Sequence, residues 1–217
     1  MISILIPIYN GIEYIDESVS SVLSQTYDKW ELIIAINGHP PNSNVYQTAL
    51  KYAQTNKIKV FDFHHLKGKS NTLNEMINHC SYNYVALLDV DDIWHPNKLQ
   101  IQSQFLNTFD VIGSRCVFFG DKQGFIPNIP VKNICSYNFK LSNPIINSSS
   151  IIRKELCFWD KDGVEDYDLW IRLWKQKKLF YNCREILVKH RIHSASAFNS
   201  NNHLLVECLL KSHFTFS

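Results

Sequence analysis

Apolar and polar positions along this chain repeat with a period that changes from segment to segment, and the changes predict an ordered series of elements. Ile2 to Ile6 form a short apolar run stopped by Pro7, the pattern of a buried parallel strand covered on both faces. Between 13 and 24 the period lengthens. Ile15, Val19, Val22 and Leu23 fall on one helical face, and Glu13, Asp16 and Glu17 occupy the first turns, where negative charge suits the helix dipole. A second strand, Trp30 to Ile36, breaks at Asn37-Gly38. It is followed by a helix over Val45 to Gln54, a strand over Ile58 to Phe63, a helix over Asn71 to His79, and a fourth strand, Tyr84 to Leu88, that runs into Asp89. Strands that alternate with helices predict right-handed βαβ units and a parallel sheet, with ligands at the carboxyl ends of its strands. Beyond Pro96 the pattern gives a helix to about Asn107 and a strand over Val111 to Phe119. Segment 120–147, rich in Gly, Pro and Asn, reads as a loop region of the kind that carries specificity. A short strand over Ser148 to Ile152, a helix opening near Asp166 and a closing helix over Leu204 to Leu210 complete the series.

Composition narrows the class. A chain of 217 residues, 45% hydrophobic, is long enough for one buried α/β core and too short for two, so a single domain over 1–217 is expected. Its 22 basic and 20 acidic side chains nearly cancel, which leaves no broad field for gathering nucleic acid or an anionic membrane. The six cysteines, at 80, 116, 135, 157, 183 and 208, lack CxxC spacing and are expected to be reduced, mostly buried thiols. The amino-terminal apolar run is too short to span a membrane and lacks the basic head of a signal peptide, so a soluble cytoplasmic protein is expected, held at a membrane only through partners.

Three polar groupings carry candidate chemistry. VALLDVDDIW places Asp89, Asp91 and Asp92 directly after a buried run. Carboxylates crowded at the edge of a low-dielectric core repel one another, and a divalent cation relieves them; hard oxygen ligands suit Mg2+ or Mn2+. A capped helix or a solvated turn explains the same residues without a metal. So does an aspartyl phosphatase, although its motif usually begins the fold and here three strands come first. GVEDYDLWIRLW sets Glu165 and Asp166 where a glycine-containing loop meets a helix, as ordinary helix-end acids or as a carboxylate aimed at the ligand face to take a proton from a hydroxyl. A helix end predicts an ionised Asp166 with some loss of basicity. VKHRIHSASAF puts His190, Arg191 and His193 on a predicted strand whose period of two turns Arg191 and His193 to one face, within reach of a diphosphate or a metal. The absence of GxGxxG and of a Gly-rich phosphate loop near the first strand argues against dinucleotide dehydrogenases and nucleotidyltransferases.

Taken in order, SILIPIYNGIEYIDESVSSVLSQTYDKWELII, GKSNTLNEMI, LLDVDDIWHPNKL, VEDYDLWIRL and RIHSAS resemble the inverting family 2 glycosyltransferases. The resemblance implies a single-domain α/β fold of GT-A type: a central, mostly parallel nucleotide-binding sheet flanked by helices. Residues 1–110 would bind the nucleotide sugar and 111–217 would supply the acceptor site and catalytic base. It implies that Pro7 and Tyr9 border the nucleotide. The family's acidic pair at the end of the second strand is replaced by Ile36-Asn37, and the Asn37 oxygen can accept from a pyrimidine N3–H. Lys69 and Asn74 fall in the stretch that lines the donor site. Leu73 stands where an arginine is often found, with Lys67 or Lys69 compensating toward phosphate. Asp91 matches the metal-binding position, and Asp89 would contact ribose or the metal. Asp166 matches the catalytic base with Glu165 beside it, and His193 with Arg191 matches an element that closes over the diphosphate and metal. The implied reaction uses Mn2+ or Mg2+ and a nucleotide-diphosphate sugar, a UDP-sugar first among them, and a glycan, lipid-linked or protein acceptor. A partner subunit or a homo-oligomer would complete the acceptor site. A catalytically silent nucleotide-sugar binding module is the rival reading.

Overall fold

The isoleucines of the first strand decide the layering. In a computed structural model describing residues 1–193 and 203–214, β1 (Ile2–Ile8) sends Ile2, Ile4, Ile6 and Ile8 to one core layer and Leu5 to the other. Side chains on a strand alternate between faces, so a strand apolar at nearly every position must be covered twice. The first layer is closed by α1 (Ile15–Leu23) and α2 (Asn44–Leu50) through Ile15, Val19, Val22 and Ala49. The second is closed by α3 (Lys69–Asn78) and α5 (Glu165–Lys175) through Leu73, Met76, Leu169 and Trp170.

β1 pairs in parallel with β2 (Trp30–Asn37) and β4 (Tyr84–Leu87), and β2 with β3 (Ile58–Phe63). The carboxyl-terminal half adds β5 (Ile93–Trp94), β6 (Val111–Gly120), β7 (Lys132–Asn133), β8 (Ile151–Arg153) and β9 (Phe180–Ile192). One sheet results, ordered β3-β2-β1-β4-β8-β6-β9-β5, with β7 also on β9. β8 runs antiparallel between β4 and β6, whereas β9 runs parallel to β6 through register shifts beside Arg115 that bend the strand. A mixed α/β domain with a curled sheet, parallel throughout its first half, is therefore what the alternation of strands and helices foretells.

The differences are local. α3 begins at Lys69, two residues before the sequence suggests, because the Asp162 carboxylate accepts from the Ser70 N–H (2.7 Å) and so caps a helix that opens on Gly68. The helix expected to reach Asn107 stops as α4 (Lys98–Gln102) and tightens into a 3-10 turn over Ser103–Phe105. α2 ends at Leu50, and 51–54 continues only as turns. The strand expected over Ser148 to Ile152 starts at Ile151, because Ser149 and Ser150 bond back to the carbonyls of Ile146 and Asn147 and hold a turn. All six thiols are free, but only Cys80, Cys116 and Cys183 are fully buried; Cys135 and Cys157 are half-buried and Cys208, on α6 (His203–His213), is exposed. Among the described residues no helix is long and apolar enough to cross a membrane.

Candidate active site

Past the end of β4 the three aspartates part company. Asp92 turns inward and is fully buried. Its Oδ1 accepts from the Arg191 N–H (2.8 Å), and its Oδ2 lies 3.0 Å from His190 Nδ1. Burial would lower the His190 imidazole, but the charge and hydrogen bond of Asp92 outweigh it and push His190 up to about 9. Asp89 accepts from Lys69 Nζ (2.7 Å), from Asn147 Nδ2 (3.0 and 3.1 Å) and from Ser148 Oγ (3.2 Å). Burial opposes ionisation there as well, yet Lys69 and Asn147 hold the Asp89 carboxyl below its ordinary range. Asp91 keeps a histidine ring as its neighbour, with Oδ2 3.0 Å from His193 Nε2. Burial, then the charges of Asp92 and Asp89, push its carboxyl above the usual range. The repulsion within the cluster thus falls on the one aspartate that faces His193.

The second acidic motif reaches the same place from the start of α5. Glu165 opens α5. Its Oε2 accepts from the Gly163 N–H (2.9 Å), and its Oε1 lies 3.3 Å from Lys69 Nζ. Asp166 accepts from the Tyr167 N–H (2.7 Å) and from Asn143 Nδ2 (3.0 Å). Burial first, then the charge of Glu165, pushes the Asp166 carboxyl up to about 6. The loss of basicity expected from a helix end is therefore overturned, because removal from water outweighs the dipole. Lys69 joins the two motifs, ion-paired to Asp89 and Glu165 at once.

In front of Lys69 lies a cleft of about 610 Å³, bordered by Pro7 and Tyr9 at the end of β1, Asn37 and Gly38 at the end of β2, and Lys67 and Gly68 before α3. It occupies the carboxyl ends of the parallel strands, where open α/β sheets take their ligands. Tyr9 is 56% exposed and Asn37 is buried, so the cleft combines an open ring with a recessed amide. A second cavity of about 630 Å³ lies at the start of β4, but Arg153 is committed to Asp110 (2.8 Å) and Lys154 to the Cys80 carbonyl (2.7 Å).

Two sequence candidates are otherwise engaged. Asn74 spends both ends of its amide on the Trp159 backbone, at 2.7 and 2.9 Å. Arg191 donates from Nε to the Asp91 carbonyl (2.9 Å) and from Nη2 to Glu17 (2.8 Å), with its guanidinium 4.3 Å from the ring centres of both Tyr14 and Phe119. It clamps the aspartate loop to α1. Residues 194–196 of the RIHSAS stretch lie outside the described residues. The sequence does not single out Asn143, Asn147, Ser148 and Asp162, and the run NPIINSSS following a Gly/Pro-rich loop is the one signal that points near them.

Among the described residues no three His, Cys, Asp or Glu side chains converge to hold an ion. Asp91 and His193 offer one oxygen and one nitrogen, which falls short of a complete ligand set for a divalent cation.

The sequence model described as Glycosyl transferase family 2 matches residues 3–158. The chain belongs to glycosyltransferase family 2. This family 2 glycosyltransferase is 29% identical over 217 aligned residues to the Escherichia coli UDP-Glc:alpha-D-GlcNAc-diphosphoundecaprenol beta-1,3-glucosyltransferase WfgD, covering 93% of this chain and 80% of that one. Staphylococcus aureus TarS, solved with UDP-GlcNAc, superposes with a TM-score of 0.76 at 15% identity, covering 98% of this chain and 66% of TarS. The mannosyltransferase PcManGT of Pyrobaculum calidifontis, solved with GDP-Man and Mn2+, superposes with a TM-score of 0.70 at 14% identity, covering 90% and 58%. The fold is of GT-A type. The chain spans 37% of the length of its curated relatives from Rickettsia conorii and Rickettsia felis.

Proposed function

We propose that this family 2 glycosyltransferase moves a sugar from a UDP-sugar to an acceptor hydroxyl with inversion at the anomeric carbon. One observation carries the reading: Lys69, in the lining of the cleft, ties Asp89 after β4 to Glu165 at the opening of α5. UDP is favoured because WfgD and TarS are named with UDP-sugars, and because the recessed Asn37 amide can accept from a pyrimidine N3–H. Tyr9 would cover the base or ribose, and Pro7 would line the nucleotide's path.

In the mechanism, Asp166 takes the proton of the acceptor hydroxyl, whose oxygen attacks the anomeric carbon from the face opposite the diphosphate, and the nucleoside diphosphate departs. A carboxyl raised to about 6 is still ionised at neutral pH and is a stronger base than an ordinary aspartate. Asn143 fixes one of its oxygens, and Glu165 holds Lys69 until the donor arrives. Asp91 with His193 would hold Mn2+ or Mg2+, which supplies charge stabilisation for the leaving diphosphate; the manganese in the Pyrobaculum neighbour supports that assignment. The acceptor is a glycan, a lipid-linked sugar or a protein, bound beside segment 120–147 and completed by a partner subunit or a second copy.

The deciding experiment screens UDP-, GDP- and dTDP-sugars with Mn2+ present and follows nucleoside diphosphate release. Release from a UDP-sugar above the other two is the expected result. Tight nucleotide binding with no release from any of them identifies a silent binding module instead. For Asp91→Ala, calorimetry should show nucleotide binding that no longer strengthens when Mn2+ is added.

A further inference from the structure

Lys69 stands on the boundary between the donor cleft and the base, and a role for it there rests on the proposal that this cleft takes a nucleotide-sugar donor. Its Nζ lies 2.7 Å from Asp89 Oδ1 and 3.3 Å from Glu165 Oε1, while its side chain, 34% exposed, lines the cleft. Three carboxylates feel this one ammonium: Asp89, Glu165 and, next along α5, Asp166. The arrangement is over-supplied with negative charge, and a lysine is a flexible point charge that can turn toward a new anion. A diphosphate entering the cleft brings several acceptor oxygens and more charge than any single carboxylate, so it competes for the same donor.

We propose that Lys69 changes partners when the donor binds, turning from Glu165 to the diphosphate, and that this exchange tells Asp166 that a leaving group is in place. Lys69 is here a positioning residue that acts on the reacting hydroxyl through Asp166. Before the exchange its charge opposes the burial and the Glu165 carboxylate that raise Asp166. The other groups facing Asp166, Asn143 and the Tyr167 N–H, are neutral donors that stay in place. Once the diphosphate neutralises Lys69, Asp166 is left facing Glu165 and holds a proton more tightly. The sign is therefore upward: with donor bound the acid limb of Asp166 moves to higher pH, and the base is strongest when the anomeric carbon is present.

The test follows the Asp166 carboxyl by ¹³C NMR in the full chain labelled at aspartate, assigned by its loss in Asp166→Asn, with UDP and Mg2+ as the probe. Saturating UDP should make the wild-type Asp166 carboxyl hold its proton roughly threefold more tightly. In Lys69→Met, UDP should bind roughly 10- to 100-fold more weakly. At saturation it should then move Asp166 less than half as far as in the wild type, and Lys69→Arg should restore the movement. If Lys69→Met does not fold, Lys69→Gln takes its place. An equal movement in wild type and in the neutral variant, or movement in neither, overturns the exchange while leaving the donor site standing. If UDP, GDP and dTDP all fail to bind the wild type, the donor reading falls and the exchange with it.

Discussion

Asp166, proposed above as the base, is a carboxylate withdrawn from water at a cost to the fold. Burial and Glu165 raise it to about 6. Between the ordinary aspartate range and about pH 6 the folded chain therefore keeps a proton that the unfolded chain has released. Its contribution to stability is full at low pH and is lost as pH rises through about 6, which is also the range in which the proposed base becomes ionised. The rate should accordingly fall roughly tenfold per pH unit below about 6, as a pH profile of kcat/KM for the donor would show. Asp166→Asn should slow turnover by about 10²- to 10⁴-fold while leaving nucleotide affinity unchanged by calorimetry; an unchanged kcat would take Asp166 out of the reaction. At this scale the sequence identifies acids but not their charge states. Nothing in VEDYDL announces that Asn143, 23 positions earlier, donates to Asp166, or that Lys69 bridges to Glu165. Ion pairs between residues distant in the chain are properties of the fold. The same limit hides the commitment of Asn74 to the Trp159 backbone and of Arg191 to Glu17.

Among the elements, α3 depends most on its first turn. Gly68 has φ +84°, and a Cβ there would run into the Asp162 carboxylate that caps the helix. Gly68→Ala therefore meets both a left-handed backbone and a steric clash. It should cost about 1–3 kcal/mol in a urea titration and should weaken nucleotide binding, because Lys69 is the next residue. The sequence pattern starts α3 two positions late for the same reason: its cap comes from residue 162 and not from a neighbour. β1 to β4 are legible because their apolar runs need cover on both faces. β5 and β7, two residues each, are too short to show any period. β9 is visible only at its end, because its buried and exposed positions follow no simple alternation along 13 residues.

The whole molecule also carries a lysine withdrawn from water, at the start of α4. Lys98 is fully buried on α4, donates to Gln102 Oε1 (2.7 Å) and lies 3.9 Å from the centre of the Trp94 ring. Burial pushes its ammonium down to about 7. Above that pH the unfolded chain holds a proton on this lysine that the folded chain does not, so the contribution of Lys98 to stability climbs with pH from about 7 toward the ordinary lysine range, by up to about 1.4 kcal/mol per pH unit. His190, held up to about 9, contributes the opposite slope below that pH, so the effect is read as a difference: the urea midpoint of the wild type should gain on that of Lys98→Met between neutral and alkaline pH. The two-layer architecture and the position of the ligand face at the strand ends are both readable from the alternation of apolar runs and helical periods. The mixed carboxyl-terminal half is not, since β8 and β9 enter it between strands far from them in sequence. The segment before α5 is riveted to α3 twice, by Asp162 on the Ser70 N–H and by the Asn74 amide on Trp159. On the proposed mechanism the helix beside the cleft and the helix that carries Asp166 are thereby tied at a set span, like the jaws of a gauge. The hydroxyl that is glycosylated would then be the one an incoming sugar presents at that span.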